Sequence, residues 1–149
     1  MSDSTAWLQQ HADWPQVHDF FSDIAGPIGW WVLIQVVVLV IGTRRGLRLA
    51  WFVSIAALSN TLLKWLWAEP RPYWTSDAIT ASRATPGFGM PSGHAQGAVA
   101  LWFGLWLALR RSSGVGSGIW LPLVALVFIV FTGISRVYYG VHSVSQVLV

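Results

Sequence analysis

The chain of 149 residues contains no cysteine. Disulfides, iron–sulfur clusters and thiol catalysis are thereby excluded, and the redox compartment cannot be read from cysteine usage. Charge is also scarce. Only 10% of residues are Asp, Glu, Lys or Arg, against roughly 25% in an ordinary soluble domain. Residues 1–26 hold four aspartates and no lysine or arginine, which is not the pattern of a secretory leader, since that begins with positive charge. A basic stripe is missing too. The nine Lys and Arg residues are scattered at segment ends, so a pI near 10.0 does not point to nucleic acid.

What is present is apolar surface. The chain is 54% hydrophobic and has eleven tryptophans. A soluble protein this small could not hide so much, so an integral membrane protein is expected. The expected fold is all-α, a polytopic transmembrane helical bundle with four complete spans and the start of a fifth. Two regions are expected, an N-terminal amphipathic segment over 1–26 and the transmembrane part over 27–149.

In the first region Val17, Phe20, Phe21 and Ile24 fall at i, i+3, i+4 and i+7. That spacing predicts a short amphipathic helix beginning near Pro15, packed on the rest of the protein or lying at the membrane surface. His11 and His18 have no ligand-spaced partner and read as surface residues. The spans are expected over about Ile28–Ile41, Leu49–Trp67, His94–Leu109 and Ile119–Val137, with Arg44, Arg45 and Arg48 in a basic loop after the first. Arg110 and Arg111 close the third, and Ser112 to Gly118 reads as a turn. A fifth helix would start near His142 but has less than two turns before Val149, so the chain reads as truncated there. Trp30, Trp31, Trp65, Trp67 and Trp120 suit an interfacial belt.

Five of the nine cations fall in the two short loops after the first and third spans. The positive-inside rule makes that side cytoplasmic. Lys64, Arg71, Arg83 and Arg136 are then on the outer face, where topology gives no reason for them. Charges at a membrane boundary with no topological reason are functional candidates. Arg83 and Asp77, in the outer loop, read as solvated loop charges or as contacts to a head group.

Three of those cations stand in short motifs. Lys64 and Arg71 are seven apart, two helical turns, although Pro70 and Pro72 must end the helix nearby. They could bind phosphate oxygens or snorkel to lipid head groups. Pro91-Ser92-Gly93-His94 opens the third span after Pro86-Gly87-Phe88-Gly89. Free N–H groups at a helix start bind anions, Gly93 admits a phosphate to the backbone, and Ser92 adds a hydroxyl, although Ser and Gly are also ordinary capping residues. Ser135 and Arg136 end the fourth span, and His142 follows six residues after Arg136. A histidine can act as a nucleophile and pass through a phosphohistidine. One neutral and one protonated imidazole would divide the nucleophile and acid roles.

These pieces resemble the type 2 phosphatidic acid phosphatase family, membrane lipid phosphatases related to vanadium haloperoxidases. The family pattern K-x6-R-P, P-S-G-H, S-R-x5-H-x3-D is matched at Lys64, Arg71, Pro72, Pro91, Ser92, Gly93, His94, Ser135, Arg136 and His142. The resemblance implies a metal-free and cofactor-free phosphatase in a bundle of about six helices. It implies His142 as nucleophile, His94 as general acid, and Lys64, Arg71, Ser92, Gly93, Ser135 and Arg136 around the phosphate. Gln146 stands where the pattern has aspartate, as in branches resembling glucose-6-phosphatase and dolichyl-diphosphate phosphatase. There its carbonyl oxygen would accept a hydrogen bond from the His142 imidazole. The expected substrate is a phosphorylated lipid, handled on the outer side of a bacterial inner membrane. A small sugar-phosphate-like substrate, or phosphate and lipid binding without turnover, are the alternatives.

Overall fold

The computed structural model describes residues 2–109 and 119–149. Its elements are helices: α1 (Ser2–His11), α2 (Pro15–Ile24), α3 (Pro27–Ile41), α4 (Thr43–Trp67), α5 (Pro72–Thr75), α6 (Gly93–Leu109), α7 (Trp120–Tyr138) and α8 (Val144–Leu148). Proline sets the first turns of α2, α3 and α5, where its missing N–H costs nothing and its fixed φ suits the helix. The expected ends of Arg110-Arg111 and the turn 112–118 lie outside the described residues.

The helix α6 packs between α4 and α7, α3 lies on α4, and α2 lies on α7. The core is built from Ile34 and Val37 of α3, Leu49 and Val53 of α4, and Ala100 and Leu101 of α6. A second cluster joins Ala25, Ala98, Trp102 and Ala125. Small residues let the backbones approach. Gly97 leaves the space that the Trp30 ring fills, and Gly104 faces Leu49 and Phe52. Close helix contact through small residues is how bundles associate where lipid removes the hydrophobic drive. The outer surface is apolar: Leu39, Val40, Leu66 and Trp120 are all more than three-quarters exposed.

Among the described residues, two helices are long and apolar enough to cross a membrane, one within Thr43–Thr75 and one at Trp120–Tyr138. A third crossing is made if α2 and α3, bent by 57° at Ala25–Gly26, act as one span. The 17 residues of α6 reach about 26 Å at 1.5 Å per residue, and a fourth crossing would need them.

Several expectations change. Arg44, Arg45 and Arg48 lie inside the first turns of α4, not in a loop. Gly42, at φ 115°, is the whole linker and lets the next helix begin at once. The N-terminal segment has an additional helix, α1, which packs on α7 and is pinned by Gln9 Nε2 donating to the carbonyls of Thr80 (2.7 Å) and Tyr138 (2.9 Å). The helix α2 turns two of its polar residues inward along with Phe21 and Ile24. His18 and Ser22 are buried, while Phe20 and Val17 are exposed. His18 is thus no surface residue; it stacks on Tyr138 at 4.0 Å and reaches the Ala12 carbonyl at 3.1 Å. His11 is exposed as expected. Trp30 is packed against α6 rather than in a belt, whereas Trp31, Trp65, Trp67 and Trp120 are exposed.

Candidate active site

The helix α4 stops one turn past Lys64. Ala68 adopts a left-handed cap (φ 45°) and its N–H bonds back to the Lys64 carbonyl at 3.0 Å. Pro70 and Pro72 then hold Arg71 extended, at φ −76° and ψ 152°. Arg71 is buried, and four of the five N–H groups of its fork are engaged. Nε donates to Gly87 O (2.7 Å), Nη2 to Pro86 O (3.2 Å), and Nη1 to Val141 O (2.8 Å) and His142 Nε2 (3.3 Å). Lys64 Nζ donates to Phe88 O at 2.8 Å. The loop 86–89 is therefore held on two cations through its carbonyls. Because these partners are neutral, the positive charge is left for an anion.

The start of α6 is held from two sides. Asn60 of α4 donates to Pro91 O (3.2 Å) and to Gln96 Oε1 (2.8 Å). The Ser92 N–H donates to the Gln146 carbonyl at 2.8 Å, and Ser92 Oγ accepts from Ala95 N at 3.4 Å, a helix cap. Gly93 sits against Asn60, whose Oδ1 would be 3.1 Å from a Cβ there. His94 follows in the first turn, with Nε2 3.7 Å from where a Cβ on Gly26 would lie.

Arg136 ends α7 and is buried, with Nη1 donating to Ser22 Oγ of α2 at 2.9 Å and its plane 5.7 Å over the Tyr139 ring. Its Nε is buried with no partner. Ser135 is apart from the cluster, because its hydroxyl donates to Thr132 O at 2.7 Å within its own helix. After α7 the chain reverses at Gly140 (φ 70°), which lies so close to the Thr80 carbonyl that a side chain would clash. His142 follows, 2% exposed. Burial, and after it Arg71, Arg136 and Lys64, hold its imidazole well below the ordinary value of 6.5, while the Gly89 backbone pulls the other way. His94 and Arg136 line one cavity. Lys64, Arg71, Ser92, Gly93, His94, Arg136 and His142 are thus gathered at one end of the bundle.

Gln146 does not meet the imidazole. Its Oε1 accepts from Ser143 N (3.2 Å), and its Nε2 donates to Glu69 Oε1 (2.9 Å) and Pro70 O (2.8 Å). The reason is local: Ser143 and Gln146 form a capping box that opens α8 and consumes the amide oxygen. His142 Nδ1 is buried without a partner. Arg83 is a loop charge that keeps contact with solvent, its side chain 39% exposed. It pairs with Asp19 (2.7 Å) and Asp23 (2.6 Å) of α2 and lies 5.1 Å over Tyr139. Asp77 is exposed. Ser22, Asn60 and Glu69 were not foreseen from sequence. Each is an ordinary polar residue outside the motifs, and only burial marks Ser22 and Asn60.

His94, Arg136, Ser22 and Arg83 open onto a cavity of about 780 Å³. Its other wall is apolar, with Ile28, Val32 and Leu33 of α3 and Trp102 of α6. His142, Lys64 and Arg71 do not line that cavity, and a groove of about 870 Å³ along α1, α6, α7 and α8 has no Lys, Arg or His in its lining.

An all-helical bundle with an apolar exterior, gathering cations and histidines at its helix ends, is an integral membrane protein. The PAP2 superfamily profile matches residues 45–149, and the chain belongs to that superfamily. The fold is shared with the first transmembrane PAP2-type phosphatidylglycerolphosphate phosphatase from Bacillus subtilis, at a TM-score of 0.76 and 24% identity over 98% of this chain and 76% of that one. The chain is also 32% identical over 126 residues to glucose-6-phosphatase catalytic subunit 1 of Haplochromis nubilus, covering 68% of this chain and 35% of that protein. It therefore spans about a third of that relative's length.

Proposed function

We propose that the protein is a membrane phosphatase that hydrolyses a phosphate monoester or diphosphate of a lipid through a phosphohistidine. The Nε2 lone pair of His142 attacks phosphorus, and the bond to the leaving oxygen breaks. His94 gives that oxygen a proton, then takes one from the water that cleaves the P–N bond and releases phosphate. Lys64, Arg71 and Arg136 match charge on the equatorial oxygens, with Ser92 Oγ and the Gly93 N–H as further donors. The observation that carries this is the 3.3 Å approach of Arg71 to His142 Nε2, which sets a phosphate-binding fork against an unprotonated nitrogen.

The apolar wall of Ile28, Val32, Leu33 and Trp102 beside His94 and Arg136 favours an aliphatic substrate. Family membership supports phosphatase activity. Arg44, Arg45 and Arg48 lie at the opposite end of α4 from Lys64. By the positive-inside rule this supports a site on the outer, periplasmic side of a bacterial inner membrane, with α6 as a further crossing.

The test is phosphate release in detergent from polyprenyl diphosphate, phosphatidic acid, phosphatidylglycerol phosphate and a sugar phosphate, with and without EDTA. An acid-labile phosphoenzyme should be trapped, and His142→Ala should lower turnover by at least ~10³-fold. Turnover unchanged in His142→Ala overturns the mechanism. The relative named glucose-6-phosphatase supports a soluble sugar phosphate as a second reading, which the same panel decides. Vanadate binding without any turnover would favour a phosphate-binding protein.

A further inference from the structure

Gln146 touches three separate segments, and each adjoins a residue of the site. Its amide nitrogen holds Glu69 and Pro70, which precede Arg71. Its amide oxygen holds Ser143, which follows His142. Its carbonyl holds Ser92, which precedes Gly93 and His94. The side chain is 1% exposed, and Gly89 lies over it so closely that a Cβ there would sit 2.5 Å from Oε1. Gly89 N in turn donates to the Glu69 carbonyl at 2.7 Å.

The orientation of this amide is dictated by its neighbours. Nε2 faces two acceptors, a carboxylate and a carbonyl, and Oε1 faces a donor. A carboxylate at position 146 would present acceptors on both sides and set like charge against Glu69 in a partly buried place. An acid is therefore excluded here by Glu69, even though an acid is what the family pattern has at this position.

We propose that Glu69 and Gln146 are a matched pair of positioning residues that set Arg71 against His142, and that Gln146 acts without touching the imidazole. The pair clamps the turn before Arg71 to the turn after His142. If it opens, the fork and the nucleophile separate while both remain present. The kinetic side of this proposal rests on the phosphatase reading above, but the structural coupling does not.

The experiment is a double-mutant cycle of Glu69→Gln, Gln146→Glu and the two combined, in the full chain in detergent. Turnover and thermal unfolding are measured for each. Glu69→Gln keeps an acceptor for Nε2 and should change kcat less than about threefold. Gln146→Glu should lower kcat about a hundredfold with little change in KM, because alignment of Arg71 matters most in the transition state. The double variant exchanges the two groups, so that an amide at position 69 donates to a carboxylate at position 146. It should recover at least about tenfold of that loss. It should also recover melting temperature. If Gln146→Glu does not fold, recovery of folded protein in the double variant is the supporting result. Gln146→Glu as active as wild type, or a double variant no better than the single in both rate and melting, overturns the pair. Wild-type protein inactive on every substrate, with the melting cycle still coupled, would sink the phosphatase reading and leave the clamp standing.

Discussion

Arg71 Nη1 lies 3.3 Å from His142 Nε2, and both residues are 2% exposed. A guanidinium only donates, so Nε2 is the acceptor and the neutral ring carries its hydrogen on Nδ1. The lone pair that a nucleophile needs is thereby aimed at the cation that would bind phosphate. In the family pattern an acid selects this tautomer from the Nδ1 side. In this chain the arginine selects it from the Nε2 side.

His142 gives a pH dependence with a definite sign. Burial and the neighbouring cations hold its folded-state value well below 6.5, so between the two values the unfolded chain binds more protons. Its contribution to stability is present in full above about pH 6.5 and is lost as pH falls toward the folded value. Melting temperature should fall from pH 7.5 to pH 5, and His142→Asn should flatten that slope. The rate should likewise fall on the acid side, with that limb below pH 6.5, as His142 takes up a proton and loses its lone pair.

Arg71→Lys keeps the charge but not the fork. Four contacts, to Gly87, Pro86, Val141 and His142, would reduce to one or two. Losing charge-assisted bonds worth roughly 1.5–3 kcal/mol each should lower kcat/KM by at least ~10²-fold. Steady-state kinetics on the preferred substrate checks this, with a melting curve to show that the fold is retained.

Ser22 is the side-chain partner of Arg136 on α2. Ser22→Ala leaves a buried guanidinium nitrogen short of an acceptor, at a cost of about 1–3 kcal/mol. A drop of several degrees in melting temperature and about tenfold in kcat is expected, and Ser22→Thr should restore both. Equal damage from Ala and Thr would mean that the hydroxyl is not what matters.

The apolar wall predicts chain-length dependence. Val32→Gln places an amide on that wall beside the route to His94. Loss of roughly 1 kcal/mol of apolar contact should raise KM about fivefold for a long-chain lipid phosphate. KM for a short-chain or soluble phosphate should stay as it was. Kinetics on a homologous series of chain lengths makes the comparison.

Much of the bundle was legible in the residues. Runs of apolar side chains bounded by Pro, Gly and charge placed α3, α6, α7 and the end of α4 to within about a residue, and the i, i+3, i+4, i+7 spacing placed α2. The direction in which α2 faces was not legible. Spacing marks a stripe without saying whether protein or lipid lies against it, and here Phe20 and Val17 look outward. The Arg44–Arg48 turn was misplaced for a related reason: one glycine at φ 115° does the work of a loop.

The cluster of Lys64, Arg71, His94, Arg136 and His142 could be named from the chain alone, because phosphate chemistry demands a distinctive set of side chains at helix ends. Which of them touch was decided by the tertiary structure. Gln146 is bound to Glu69 rather than to His142 because a capping box and a neighbouring carboxylate compete for its amide. Ser22 reaches Arg136 across 114 positions of sequence. Residue type determines what a group can donate or accept, but its partner depends on what folding brings within about 3 Å.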